Sequence, residues 1–398
     1  MISPFRAMFS ERTNWQRSPN ALSLLSDRLR GSGRQILDLT SSNPTELGFP
    51  YPAEQIASAL SSHSSLRYRP EARGLLSARE TVVRTYAEQQ TPIGMDDVFL
   101  TASTSEAYTL IMKLLCNPGE ELLVPKPSYP LFEFIARICD VSLRPYRLLY
   151  DGSWHIDFAS LQEAVSPATR GIIVVQPHNP TGHYLSADEH AILDRIAADR
   201  NLPVICDEVF IDYSFPGAQA PASTAGREAT LTFTLNGLSK LAALPQMKLG
   251  WIVLSGPRGA RQEAAERLEI LCDTYLSVNT PVQLALAGLL EAGGVVRQAI
   301  RERTAGNYGQ MAGRFSGDSP CTALACSAGW YGMLRLPNIR NDEEWAVQIL
   351  EQAAVAVFPG YFFEAGHDQL IVVSLLPPPG QFAEAVGRID DLVRRSLS

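Results

Sequence analysis

Between residues 50 and 275, apolar runs of four to six residues alternate with helix-patterned stretches. No other feature restricts the fold of this chain as strongly. The strand-like runs are Val98 to Leu100, Glu121 to Val124, Gly171 to Val175, Pro203 to Cys206, Leu231 to Leu235 and Leu249 to Leu254. Strands that are apolar at every position are covered on both sides, and their alternation with helices predicts a mostly parallel sheet sandwiched by helices.

The flanking segments read differently. Residues 1–50 hold one helical stretch, Ala21 to Arg30, then Gly31-Ser32-Gly33 and a short strand around Ile36 to Leu39. Beyond residue 279 comes a long helical stretch, Pro281 to Met311. It is followed by the strand-like Tyr331 to Leu336 and Leu370 to Ser374 and a final amphipathic piece, Phe382 to Leu397. Neither flank alone carries enough apolar surface to fold. The expectation is therefore α/β: a large domain over residues 51–278, and a smaller α+β domain in which the N-terminal segment, 1–50, joins residues 279–398.

Bulk properties exclude more than they select. With 398 residues, 45% apolar and 19% charged, nothing suggests disorder, and a formal charge of −8 argues against a nucleic-acid surface. Six cysteines without CxxC spacing fit free thiols in a reducing compartment. The start, Met1 to Arg6, lacks the apolar core of a signal peptide, and no run reaches the ~20 apolar residues of a membrane span. The expected setting is cytoplasmic, without membrane or nucleic-acid partners.

Three polar residues close strand-like runs. Lys240 follows Leu231 to Leu235 in the run Asn236-Gly237-Leu238-Ser239-Lys240, Asp207 follows Pro203 to Cys206, and Asn179 follows Gly171 to Val175 in Gln176-Pro177-His178-Asn179-Pro180-Thr181-Gly182. The carboxyl ends of parallel strands line one crevice, so the three residues are expected to converge. An amine, a carboxylate and a side-chain amide around one flat ring suit Schiff-base catalysis with pyridoxal phosphate. Each also has a plainer reading: a solvated loop lysine, a helix N-cap aspartate and a turn asparagine.

Other segments fall at the same sheet edge. Ser103, Thr104 and Ser105 join the strand at Val98 to Leu100 to a helix, as N-caps or as an anion site at a helix N-terminus. Tyr129, in the stiff run Pro125-Lys126-Pro127-Ser128-Tyr129-Pro130, offers a surface for a flat ring or a core aromatic. Lys248 is an ordinary charge or a second phosphate contact.

In this order, Asn179-Pro180-Thr181-Gly182, Asp207-Glu208-Val209-Phe210 and Ser239-Lys240 resemble the class I/II aminotransferases of pyridoxal-phosphate fold type I, the aspartate aminotransferase-like superfamily. The similarity runs from Leu37-Asp38-Leu39 to the C-terminal domain. The resemblance implies that Lys240 is the Schiff-base lysine and proton shuttle, Asp207 the partner of the pyridine nitrogen, and Asn179 the donor to the ring oxygen. It implies that Tyr129 stacks on the ring and that Ser103, Thr104 and Ser105 hold the phosphate. Tyr68, in Tyr68-Arg69-Pro70-Glu71, matches a tyrosine that reaches the phosphate of a neighbouring subunit, which implies a homodimer with shared sites.

Four positions depart from the family pattern. Lys248 stands in place of a phosphate-binding arginine, Gly237 of a cup serine, and Phe210 of a tyrosine that contacts the ring oxygen. Val372 occupies the place of the arginine that clamps the substrate carboxylate, so either Arg335 or Asn43 takes over or the substrate lacks a carboxylate there. The expected activity is amino transfer between an amino acid or amine and a keto acid by a ping-pong mechanism. The alternative is a lyase, decarboxylase or condensing enzyme using the same cofactor.

Overall fold

A computed structural model describes residues 8–15, 18–366 and 369–397; the opening segment Met1 to Arg6 lies outside them. The strands, in chain order, are β1 (Leu37–Asp38), β2 (Val98–Thr101), β3 (Glu121–Lys126), β4 (Ser142–Tyr150), β5 (Trp154–Ile156), β6 (Thr169–Val175), β7 (Val204–Asp207), β8 (Thr232–Gly237) and β9 (Gly250–Ser255), then β10 (Thr322–Ala323), β11 (Tyr331–Arg335), β12 (Val355–Ala356), β13 (Phe358–Pro359) and β14 (Leu370–Ser374).

Eight strands form the large sheet in the order β2-β9-β8-β7-β6-β3-β4-β5. Neighbours from β8 through β4 are parallel, whereas β9 is antiparallel to both β8 and β2, and β5 to β4. The expected mostly parallel sheet is present, with two exceptions that the apolar pattern did not disclose. The twelve residues between Gly237 and Gly250 hold only short helical turns, with no crossover helix to carry the chain back along the sheet, and β9 returns antiparallel. The strands β4 and β5 escape sequence reading because Arg144, Pro145 and Arg147 break the apolar run on a half-exposed strand.

Strand alternation divides the core into two faces. Leu122, Val124, Ile173, Val175, Phe233 and Leu235 pack under the helices Thr104–Leu115 and Arg258–Tyr275. Leu123, Ile172, Val174, Val204 and Cys206 point the other way, toward Leu161 and Leu193 of the helices Phe158–Ala164 and Ala187–Asp199.

The smaller α+β domain is built from both ends of the chain. Its four-stranded sheet, β10-β11-β14-β13, is antiparallel throughout, and β1 pairs in parallel with β12. Ile371, Val373 and Leu375 face a core shared with Phe382, Ile389 and Val393 of the helix Pro379–Leu397. The helix Thr280–Arg314 links the regions: Leu286 and Leu289 pack with the large sheet, Val296 and Ile300 with Phe210 and Trp330, and Met311 with the small-domain core.

Candidate active site

The sheet topology brings the chemistry to one edge. Strands β6, β7 and β8 end at Val175, Asp207 and Gly237; Val175 stands opposite Asp207 and Asp207 opposite Leu235, and Thr101 and Gly237 both stand opposite Gly250 at the start of β9. The turn Pro245–Met247 delivers Lys248 to this edge just before β9 begins. The termini that carry Ser103, Tyr129, Asn179, Asp207, Lys240 and Lys248 are therefore neighbours.

Lys240 lies in the short helix Leu238–Leu241 and is partly buried. Its Nζ is 4.3 Å from the centroid of the Trp330 ring and 5.5 Å from that of Phe210, within reach of a cation–π attraction. Trp330 and Phe210 pack edge to face with each other and with Tyr213, whose hydroxyl donates to the Lys240 carbonyl at 2.5 Å. Burial lowers the ammonium to about 8, against an opposing pull from the Asp207 carboxylate. The lowering comes from burial among aromatic groups, with the carboxylate working against it.

Asp207 is buried at the end of β7. Burial raises its carboxyl to about 6, opposed by hydrogen bonds from the Val209 N–H and the Tyr108 hydroxyl, each 3.1 Å, and by the charge of Lys240. Tyr108 is a site residue to which sequence reading gave no role. Its signal was helical spacing, since Tyr108, Ile111 and Met112 line the inward face of the helix Thr104–Leu115.

Asn179 sits in a turn closed by the Gly182 N–H to the His178 carbonyl and by the pairing of His178 Nδ1 with Thr181 Oγ1. The Asn179 Oδ1 is buried without a hydrogen-bond partner in the chain. A side chain at Gly182 would collide with Cys326, so this turn is pressed against the small domain.

Ser103 is the N-cap of its helix, its Oγ accepting from the Glu106 N–H at 3.1 Å. Thr104 and Ser105 begin the helix, where N–H groups have no intrahelical acceptor. Tyr129 is 42% exposed and packs edge-on to Phe132. Lys248 is exposed and left-handed in backbone, and Tyr68 is 80% exposed on the approach to the helix Leu76–Glu88. Asn43 caps a turn, its Oδ1 accepting from the Thr45 N–H and hydroxyl. Gly237 is explained by space: a Cβ there would lie 2.7 Å from the Gly250 Cα and 2.9 Å from the Leu249 carbonyl oxygen, which excludes a serine without backbone movement.

A desolvated lysine, a buried carboxylate and an asparagine with an unpartnered Oδ1 at the carboxyl edge of a mostly parallel sheet define an enzyme of amine chemistry. The profile of the family described as Aminotransferase class I and II matches residues 34–389. The chain belongs to that family and is an aminotransferase by class.

It is 29% identical over 374 residues to the glutamate-pyruvate aminotransferase AlaA of Haemophilus influenzae, with 91% of each chain covered. It is 27% identical over 370 residues to the tyrosine aminotransferase of Homo sapiens, covering 90% of this chain and 81% of that one. Its fold matches the alanine aminotransferase of Pyrococcus furiosus with a TM-score of 0.87 at 23% identity, covering 97% of this chain and all of the other.

Proposed function

We propose that the protein is a pyridoxal-phosphate-dependent aminotransferase that moves an amino group between an amino acid or amine and a keto acid by a ping-pong exchange. The observation that carries this reading is a desolvated Lys240 within electrostatic reach of the buried Asp207. Lys240, lowered to about 8, is ready to lose its proton and act as nucleophile and then as proton carrier near neutral pH. The residues fit the cofactor. Asp207, buried at the strand end, would hold a protonated ring nitrogen, and the side-chain N–H of the half-buried Asn179 would donate to the ring oxygen.

Ser103, Thr104, Ser105 and Lys248 would hold the phosphate at the N-terminus of the helix Thr104–Leu115, and Tyr129 would cover one face of the ring. When bound, pyridoxal phosphate supplies an aldehyde for amines to condense with and a ring that withdraws electrons. The chain's part is to orient donor and acceptor, to exclude water with Phe210 and Trp330, and to carry the proton on Lys240 Nζ. Asp207 keeps the positive charge opposite it in place.

A second copy is part of the reading. Tyr68, 80% exposed, is the residue by which this copy would reach its partner's phosphate site, and the neighbouring Leu66, 85% exposed, would be covered by that contact. Among the described residues no helix is long and apolar enough to cross a membrane, and the six cysteines are free thiols, which supports a cytoplasmic setting.

The test is exchange of the amino group from a panel of amino acids and amines to keto acids, with Lys240→Ala beside the parent protein. The reading expects exchange that Lys240→Ala abolishes, and retained turnover in that variant would remove the assignment. One observation favours an alternative. With Val372 apolar, elimination, decarboxylation or condensation on the same cofactor would reveal itself by release of ammonia with a keto acid, or of carbon dioxide, without a paired amino product.

A further inference from the structure

The face of the small domain turned toward the large sheet is uncharged where it meets the site. In β14, Ile371 and Val373 belong to the small-domain core, whereas Leu370 and Val372 pack with residues of the large sheet. In the antiparallel partner, Met333 opposes Val372, Tyr331 opposes Ser374 and Arg335 opposes Leu370, so Tyr331, Met333 and Arg335 share that face. Val372 is wholly buried. At the end of the face nearest the site, Tyr331 is half-buried against Phe210 and Trp330, and Ser42 and Tyr129 lie close enough to its hydroxyl to act on it electrostatically.

The one cation of that face in β11 and β14 stands at the wrong end. Arg335 is four residues from Tyr331, roughly 13 Å along a strand, and its guanidinium lies 5.5 Å from the Tyr150 ring. Lys126, at the end of β3, forms an ion pair with Glu364. An α-carboxylate is bonded to the carbon that carries the reacting amine, so its anchor must be close to that amine. Among the described residues of β11 and β14 the groups on that side are Tyr331, Met333 and Val372, none of them charged, and a desolvated carboxylate without a cation is strongly disfavoured.

Resting on the aminotransferase reading, we propose that the preferred donor is a primary amine whose reacting carbon bears a neutral or hydroxyl-bearing group in place of an α-carboxylate. The Tyr331 hydroxyl is the polar contact and Val372 the residue that sets the preference. The exchange balances without an added oxidant: the donor C–NH₂ becomes C=O and the acceptor C=O becomes C–NH₂. The donor carbon is oxidised by two electrons and the acceptor carbon reduced by two. A keto acid enters the same cleft under the same handicap, so the matching aldehyde is the better acceptor.

The test uses the cofactor-loaded protein and two unreactive ligands of one shape, 3-phenylpropanol and 3-phenylpropionate, with dissociation constants by calorimetry. The alcohol is expected to bind at least tenfold more tightly, and Val372→Arg to reverse the order. Should that variant fail to fold, Met333→Arg places the same charge at the cross-strand position. Amino exchange from 2-phenylethylamine and phenylalaninol is expected to exceed that from L-phenylalanine by tenfold or more in kcat/KM. Equal or tighter binding of the carboxylate, no measurable binding of the alcohol, or preference for the amino acid overturns the proposal. A tenfold binding preference without exchange from any donor removes the aminotransferase reading and the donor assignment that rests on it, whereas exchange without that binding preference overturns the proposal alone.

Discussion

Replacing Lys240 by methionine in the cofactor-free protein should stabilise it, and by an amount that depends on pH. Folding lowers the Lys240 ammonium from its ordinary 10.5 to about 8 because its surroundings are dry. A lysine lowered in the folded state means that the unfolded chain binds more protons between those two values, so stability rises with pH across that window. Below it the charged side chain is a fixed liability. At about 1.4 kcal/mol per unit the shift corresponds to about 3 kcal/mol at pH 7 and about 2 at pH 9. The cation–π contacts with Trp330 and Phe210 reduce this by up to about 2 kcal/mol. Lys240→Met keeps the volume and removes the charge, so it should raise the unfolding free energy at pH 7 by about 1 to 3 kcal/mol, with a smaller gain at pH 9. Urea unfolding of both proteins at the two pH values measures it. A variant no more stable than the parent at pH 7, or a gain that grows with pH, would refute the desolvation argument.

Asp207→Ala should leave cofactor bound, by difference spectroscopy, while slowing turnover by more than about tenfold, the scale of a lost tuned partner; a near-normal rate would count against its role. Tyr108→Phe removes a hydrogen bond that favours the Asp207 carboxylate. The carboxyl should rise further above about 6, and the acid limb of the pH–rate profile should move to higher pH; an unmoved limb would show that Asp207 does not govern it. Gly237→Ser must push β8 from β9, since even its Cβ would be 2.7 Å from the Gly250 Cα. It should lower stability by about 1 to 3 kcal/mol in urea unfolding, and a neutral effect would mean that the two strands separate readily.

Composition and periodicity made much of this protein legible. The apolar runs at Gly171 to Val175 and Leu231 to Leu235 could be satisfied only between two helical layers. Residues that end such strands share an edge, which is why Lys240, Asp207 and Asn179 could be grouped before any coordinates. The sequence left open β4 and β5, whose arginines and proline belong to a half-exposed margin, and the reversed direction of β9, which depends on the path of a twelve-residue link. It also left open the surroundings of Lys240. Trp330 lies ninety positions downstream, and only closure of the small domain against the large one sets its ring over the ammonium. The same holds for the Tyr108 hydroxyl on Asp207 and the uncharged face of Tyr331, Met333 and Val372. Strand patterning is local and repeats every two residues, so the chain carries it openly. The desolvation that tunes an amine depends on atoms far apart in sequence, and it exists only when the tertiary structure brings them together.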